Sequence, residues 1–75
     1  MIYYTAYAKV RMAFRDITHK MVESALIKPD RVGMGYNGKS LVFKKFSRGL
    51  IKIVFVRKKS SCVVISAIWE FIKKN

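Results

Sequence analysis

Acidic residues are scarce in this chain: four Asp and Glu stand against sixteen Lys and Arg in 75 residues, a formal charge of +12. Metal-dependent hydrolysis draws on convergent carboxylates, and so few acids argue against it. The lone cysteine, Cys62, excludes an internal disulfide framework, and no Cys/His spacing around it and the lone His19 suggests zinc. No metal and no cofactor is therefore expected. Cys62 lies in an apolar run and reads as an inert core thiol. No linker, repeat or low-complexity segment interrupts the chain, and neither a Gly-rich phosphate loop nor a Ser/His/Asp set is present. The longest apolar stretch, Cys62 to Trp69, is far too short to span a bilayer. The N-terminus lacks the basic segment followed by an apolar one that marks a signal peptide. The expectation is a soluble protein of a reducing, cytoplasmic setting, with no membrane contact.

What the chain has is positive charge on an apolar frame. Apolar residues make up 52% of it, slightly above the globular norm, so it should fold despite its charge. Surplus cations repel one another in the compact state unless they meet anions. Nucleic acid is the commonest such company, an acidic protein the next and an anionic membrane surface the third. The length allows one domain, residues 1–75, which buries only roughly 60% of its unfolded surface. A lone monomer of that size is marginal, so a second copy of the chain is a further candidate partner.

Periodicity predicts the elements. Ile2 to Tyr4 is β-prone, and Thr5 is placed to cap a first helix running to about Phe14. Its core stripe reads as Ala6, Val10, Ala13 and Phe14. Thr18 caps a second helix that Pro29 ends, with Ile17 and Val22 spaced as a hydrophobic staple and Met21, Val22, Ala25 and Leu26 as its buried stripe. Past Pro29 the pattern alternates. Val32 to Tyr36 is a Gly-broken strand suited to a sheet edge. Asn37-Gly38 is a strong hairpin turn. Leu41 to Phe46, Leu50 to Val56 and Cys62 to Trp69 are strands, joined by turns at Ser47-Arg48-Gly49 and Lys58-Lys59-Ser60. The expected fold is α+β: two N-terminal helices on one face of a mainly antiparallel sheet, in the order β-α-α-β-β-β-β.

Tyr7, Arg11 and Arg15 stand four residues apart and would form one row along the first helix. Like charges at that spacing repel by a few tenths of a kcal/mol, and a phosphate or carboxylate would relieve them. A solvated basic face is the alternative. The surrounding run resembles the opening of a small domain family of unknown function, whose pattern is His-Ala-x-x-Arg-Met-x-x-Arg-x-Ile-Ser/Thr followed by a Val, a Leu and a Pro. Ala8, Arg11, Met12, Arg15, Ile17, Thr18, Val22, Leu26 and Pro29 stand at the matching places, and Tyr7 replaces the family's His. That family is grouped with the RelE/ParE/BrnT toxin superfamily, so the resemblance implies a RelE-like fold. It covers residues 5–30 well and only a pattern of strands beyond.

The second hairpin, around Arg48, suggests a site. With a turn at Ser47-Arg48-Gly49, Phe46 opposes Leu50 and Lys44 opposes Lys52; a loop one residue shorter would bring Lys45 there. Like charges across a sheet destabilise it. Ile51, Ile53 and Phe55 would face the helices and Lys52 the open side, where a phosphate would relieve the repulsion. Snorkelling lysines are the alternative. RelE-like ribonucleases hold RNA with basic residues on such a face, and the resemblance implies Lys44, Lys45, Arg48, Lys52 and Arg57 as residues of that kind. Lys44, Arg48, Lys52 and Arg57 are thus the catalytic candidates. Tyr7, Arg11, Arg15, Lys45, Lys58 and Lys59 are the candidates for binding nucleic acid.

Such cleavage needs a base and an acid besides charge stabilisation. His19, placed in the first turn of the second helix, reads as a surface residue rather than a catalyst. Phe14 and Phe55 read as core. Tyr36 and Trp69 could stack a base, though a core or dimer contact suits Trp69 better. The tail Phe71-Ile72-Lys73-Lys74 is amphipathic but too short for a membrane anchor, and suits packing onto a neighbour. The expected function is a toxin-like RNA-binding protein, including a metal-independent endoribonuclease, whose partners are RNA, free or on the ribosome, and an acidic antitoxin-like protein. The alternative is a non-catalytic basic module, either a nucleic-acid binder or a ParE-like inhibitor of a protein target.

Overall fold

The computed structural model describes residues 1–73. Its elements are β1 (Ile2–Tyr4), α1 (Ala6–Phe14), α2 (His19–Ile27), β2 (Arg31–Met34), β3 (Ser40–Phe46), β4 (Gly49–Lys58) and β5 (Ser61–Ile72). The protein is α+β, with two helices against one face of a five-stranded sheet ordered β1-β5-β4-β3-β2. The sheet is mixed. β1 runs parallel to β5, from Ile2 beside Cys62 to Tyr4 beside Val64, and the other neighbours are antiparallel. Lys74, the last residue of the amphipathic tail, lies outside the described residues, while Phe71 and Ile72 belong to β5. No helix among the described residues is long and apolar enough to cross a membrane.

The helix ends follow from the sequence. The Thr5 hydroxyl accepts from the Ala8 N–H at 3.0 Å, and the Thr18 hydroxyl accepts from the Met21 N–H at 3.1 Å. The Met21 thioether accepts in return from the Thr18 N–H at 3.4 Å, filling the place that Glu takes in a capping box. α1 ends in a Schellman motif. The Ile17 N–H donates to the Met12 carbonyl at 3.0 Å, and Asp16 holds a left-handed conformation with φ of 55°. Met12 and Ile17 are both buried, which supplies the apolar contact of that motif. Ile17 and Val22, both buried, then form the staple that opens α2.

The core face of α1 differs from the stripe expected. Ala8 and Met12 are buried, whereas Ala6, Val10, Ala13 and Phe14 face solvent, Phe14 with 81% of its surface exposed. α1 carries apolar residues on two opposite sides, and spacing does not choose between them. The helix ends choose. The Thr5 N–H donates to the Val64 carbonyl at 3.1 Å, and the Arg15 guanidinium donates to the Ala67 carbonyl at 3.1 Å. Thr5, Ala8, Met12 and Arg15 share one side of the helix, so pinning both ends to β5 turns Ala8 and Met12 inward.

β4 alternates as expected, sending Ile51, Ile53 and Phe55 into the core, where they meet Val42 of β3 and Val64 and Ala67 of β5. β5 has bulges at Ile65 and Glu70, which are skipped in the pairing with β4. Each bulge shifts the alternation by one residue, so Val64, Ala67 and Trp69 all face the helices. Asn37 and Gly38, at φ of 57° and 74°, make the turn between β2 and β3.

Two substitutions test this packing by urea unfolding. Ile53→Ala should remove about 2–5 kcal/mol, whereas Phe14→Ala should stay within about 0.5 kcal/mol. Arg15→Ala strips the Ala67 carbonyl of a charged donor and should cost about 1.5–3 kcal/mol.

Candidate nucleic-acid interface

The loop between β3 and β4 sets what the open face presents. It has two residues, Ser47 and Arg48, and Phe46 pairs with Gly49 rather than Leu50. Gly49 allows this because its φ is 154° and a Cβ there would overlap the Phe71 carbonyl oxygen. In the resulting register Phe43 stands opposite Lys52, Lys44 opposite Ile51 and Lys45 opposite Leu50. No lysine faces Lys52: the loop is one residue shorter than Ser47-Arg48-Gly49, and in an antiparallel pair that shortening brings Phe43 opposite Lys52, not the Lys45 expected.

Lys52 does lie on the side away from the helices, between Leu50 and Val54. Its Nζ is 3.9 Å from Glu70 Oε2, which the second bulge of β5 brings alongside. Both groups are part-exposed, and a pair at that distance contributes at most about 1 kcal/mol. The cross-strand neighbours make the rest of this face mainly apolar: Leu41 and Phe43 of β3, Val54 and Val56 of β4, Val63 and Ile68 of β5. Arg31 of β2 reaches over Phe43, its guanidinium carbon 5.1 Å from the ring centroid.

Two clefts open along β4. The first, of about 300 Å³, is lined by Lys45, Phe46, Gly49, Leu50, Phe71 and Lys73. The second, of about 330 Å³, is lined by Lys52 and Val54 together with Leu41, Lys39, Tyr36, Gly35 and Met34. Leu50, Lys52 and Val54 are alternate residues of one strand, so both clefts lie on the same face. Phe71 and Tyr36 are largely exposed in them. Each cleft thus pairs an exposed aromatic ring with two lysines.

The residues singled out from the sequence do not all gather there. Lys45 and Lys52 do, and Arg48 borders the first cleft, its carbonyl accepting from the Lys73 N–H at 2.8 Å. The Arg48 guanidinium itself lies over the Trp69 ring, at 5.4 Å. Trp69 is within β5 on the helix side, and its indole N–H donates to the Arg15 carbonyl at 2.7 Å. Lys44 also points to the helix side, where its Nζ donates to the Lys28 carbonyl at the end of α2 at 2.9 Å. Arg57, Lys58 and Lys59 sit at the opposite end of β4 and its turn, with the Arg57 guanidinium carbon 5.7 Å from the centre of the Phe55 ring. The four catalytic candidates therefore do not converge.

The Tyr7 row divides in the same way. Arg11 and Tyr7 are exposed, 5.2 Å apart as cation and ring, while Arg15 turns to the sheet. Lys39, Lys73 and Phe71 are not among the residues that the sequence marks for this role. Lys39 follows the Asn37-Gly38 turn, a legible signal, but the reach of β5 to Ile72 was not legible. Among the described residues, no three His, Cys, Asp or Glu side chains come together as a metal site.

On the helix side, His19 stacks on Tyr4, with ring centroids 4.3 Å apart and planes 18° from parallel. The Tyr4 hydroxyl is buried without a hydrogen-bond partner among the described residues. Burial first, and the Glu23 carboxylate second, push its pKa above the usual 10.0. The folded state thus holds this proton more tightly than the unfolded chain does. The contribution of Tyr4 to stability is level below pH 10.0 and falls as pH rises past it. Tyr4→Phe should gain about 1 kcal/mol at neutral pH by removing an unsatisfied hydroxyl. Its advantage over the wild type should widen above pH 10.0 in urea unfolding.

With this geometry set beside known proteins, no family, no curated protein and no solved structure matches the chain.

Proposed function

We propose that the protein is a toxin-like RNA-binding module that lays a single strand along the open face of its sheet, without cleaving it. The observation that carries this reading is the line of two clefts, Phe71 with Lys45 and Lys73 in one and Tyr36 with Lys39 and Lys52 in the other. Exposed rings offer stacking that tolerates any base, and ammonium groups beside them suit the phosphates between bases. The net charge of +12 adds long-range steering toward a polyanion.

Kinship with the RelE/ParE/BrnT superfamily is part of the proposal. It is supported by the run from Ala8 to Thr18 and by two helices preceding the hairpin strands. Binding is better supported than cleavage. Proton transfer at a 2′-hydroxyl and at the leaving oxygen needs two positioned groups, and His19 is occupied in a stack on the helix side.

A salt titration with labelled single-stranded RNA tests the proposal. Log affinity should fall linearly with log salt, and Lys39→Ala, Lys45→Ala, Lys52→Ala and Lys73→Ala should each flatten the slope by about 0.7. Phe71→Ala and Tyr36→Ala should each cost about 1–3 kcal/mol of binding with the slope unchanged. A salt-independent affinity, or slopes that none of the lysine changes moves, would remove RNA from the reading. Cleavage in EDTA that Lys52→Ala abolishes would replace binding with a ribonuclease activity.

A further inference from the structure

α1 is apolar on two opposite sides, and the described residues cover only one of them. Ala8 and Met12 meet the sheet, while Val10, Phe14 and Tyr7 expose 54%, 81% and 54% of their surfaces, with Ala6 and Ala13 exposed beside them. A helix that is apolar nearly all round is ordinarily buried all round. At 3.6 residues per turn, the outer strip is bordered by Lys9 along one side and Arg11 along the other, both exposed. The Arg11 guanidinium lies 5.2 Å from the centre of the Tyr7 ring, which holds that cation at the rim of the strip.

The two rows of charge select among occupants. An amphipathic helix with carboxylates along the borders of its apolar face is complementary to such a strip. A second copy of this chain is not, because its own strip is bordered by the same Lys9 and Arg11 and each copy carries +12. RNA is a poor occupant as well, since Ala6, Val10, Ala13 and Phe14 offer its phosphates no side-chain donor.

We propose that the outer face of α1 docks an acidic amphipathic helix of a partner protein. Val10 and Phe14 are its apolar anchors, and Lys9 and Arg11 stand against the carboxylates. This surface lies on the helix layer, apart from the clefts of the open sheet face, and does not rest on the RNA reading.

Two synthetic helical peptides serve as probes. One carries leucines at i, i+3, i+4 and i+7 bordered by glutamates; the other has lysines in place of those glutamates. Fluorescence anisotropy with the full chain should show binding of the glutamate peptide and little of the lysine one. Val10→Asp, at an exposed position, should leave the melting temperature unchanged and weaken the glutamate peptide by roughly tenfold or more, as for a lost apolar anchor. Replacing both Lys9→Glu and Arg11→Glu should reverse the preference to the lysine peptide. Equal binding of both peptides, or of neither, would overturn the proposal. So would a concentration-dependent dimer that Val10→Asp dissolves, which would give the face to a second copy. Val10-dependent binding to vesicles of phosphatidylcholine and phosphatidylglycerol, with no preference between the peptides, would give it to a membrane.

Discussion

The outer edge of β5 organises this molecule. β5 is the longest strand among the described residues, and no antiparallel neighbour among them pairs the backbone groups of its far edge. β1 covers that edge only beside Cys62 to Val64, running parallel to it. Beyond that point the closure passes to side chains and to the start of α1. The Thr5 N–H reaches the Val64 carbonyl, the Thr5 hydroxyl the Ile65 carbonyl at 3.4 Å, and Arg15 the Ala67 carbonyl. Unsatisfied backbone groups in a half-buried place are costly, so this edge dictates where α1 lies, which way it is rotated and why Trp69 reaches back to the Arg15 carbonyl. The same constraint leaves the opposite side of α1 uncovered.

The run that first suggested a ligand site has a structural explanation almost residue by residue. Ala8 and Met12 are core, Arg15 closes the sheet edge, and Ile17 ends one helix while it staples the next. Thr18 is a cap and Val22 is buried. Among the described residues, Arg11 alone of those in the run from Ala8 to Val22 that fit the family pattern has no partner beyond the Tyr7 ring. A motif can therefore be a strong sign of a fold and a weak sign of a site. Arg11 stands beside an exposed apolar strip, and Arg15 of the same row is turned away from it toward the sheet.

Charge and chemistry also part company here. A chain of +12 has no shortage of cations, but the fold spends them in different places. Lys44 caps the end of α2, Arg48 and Arg57 lie against aromatic rings, and Lys52 is held near Glu70. What remains on the open face is a mainly apolar surface with lysines at its clefts.

The sequence by itself determined the local structure. Thr5 and Thr18 as caps, Ile17 with Val22 as a staple, the turn at Asn37-Gly38 and the inward alternation of Ile51, Ile53 and Phe55 all depend on residues within a few positions of one another, so their spacing carries the information. The tertiary structure decided what depends on distant parts of the chain. The rotation of α1 follows from bonds to Val64 and Ala67, and spacing alone had favoured the Val10 and Phe14 side. The parallel pairing of β1 joins residues sixty apart in sequence. The bulges at Ile65 and Glu70 change which side of β5 each residue faces, and Gly49 admits a two-residue loop because it has no Cβ to meet the Phe71 carbonyl. A one-residue change in register moves every following side chain to the other face of a sheet. That is why Lys44 lies on the helix side while Lys45 stays on the open face, and why the place of Phe71 and Lys73 beside Lys45 depends on how the strands pair.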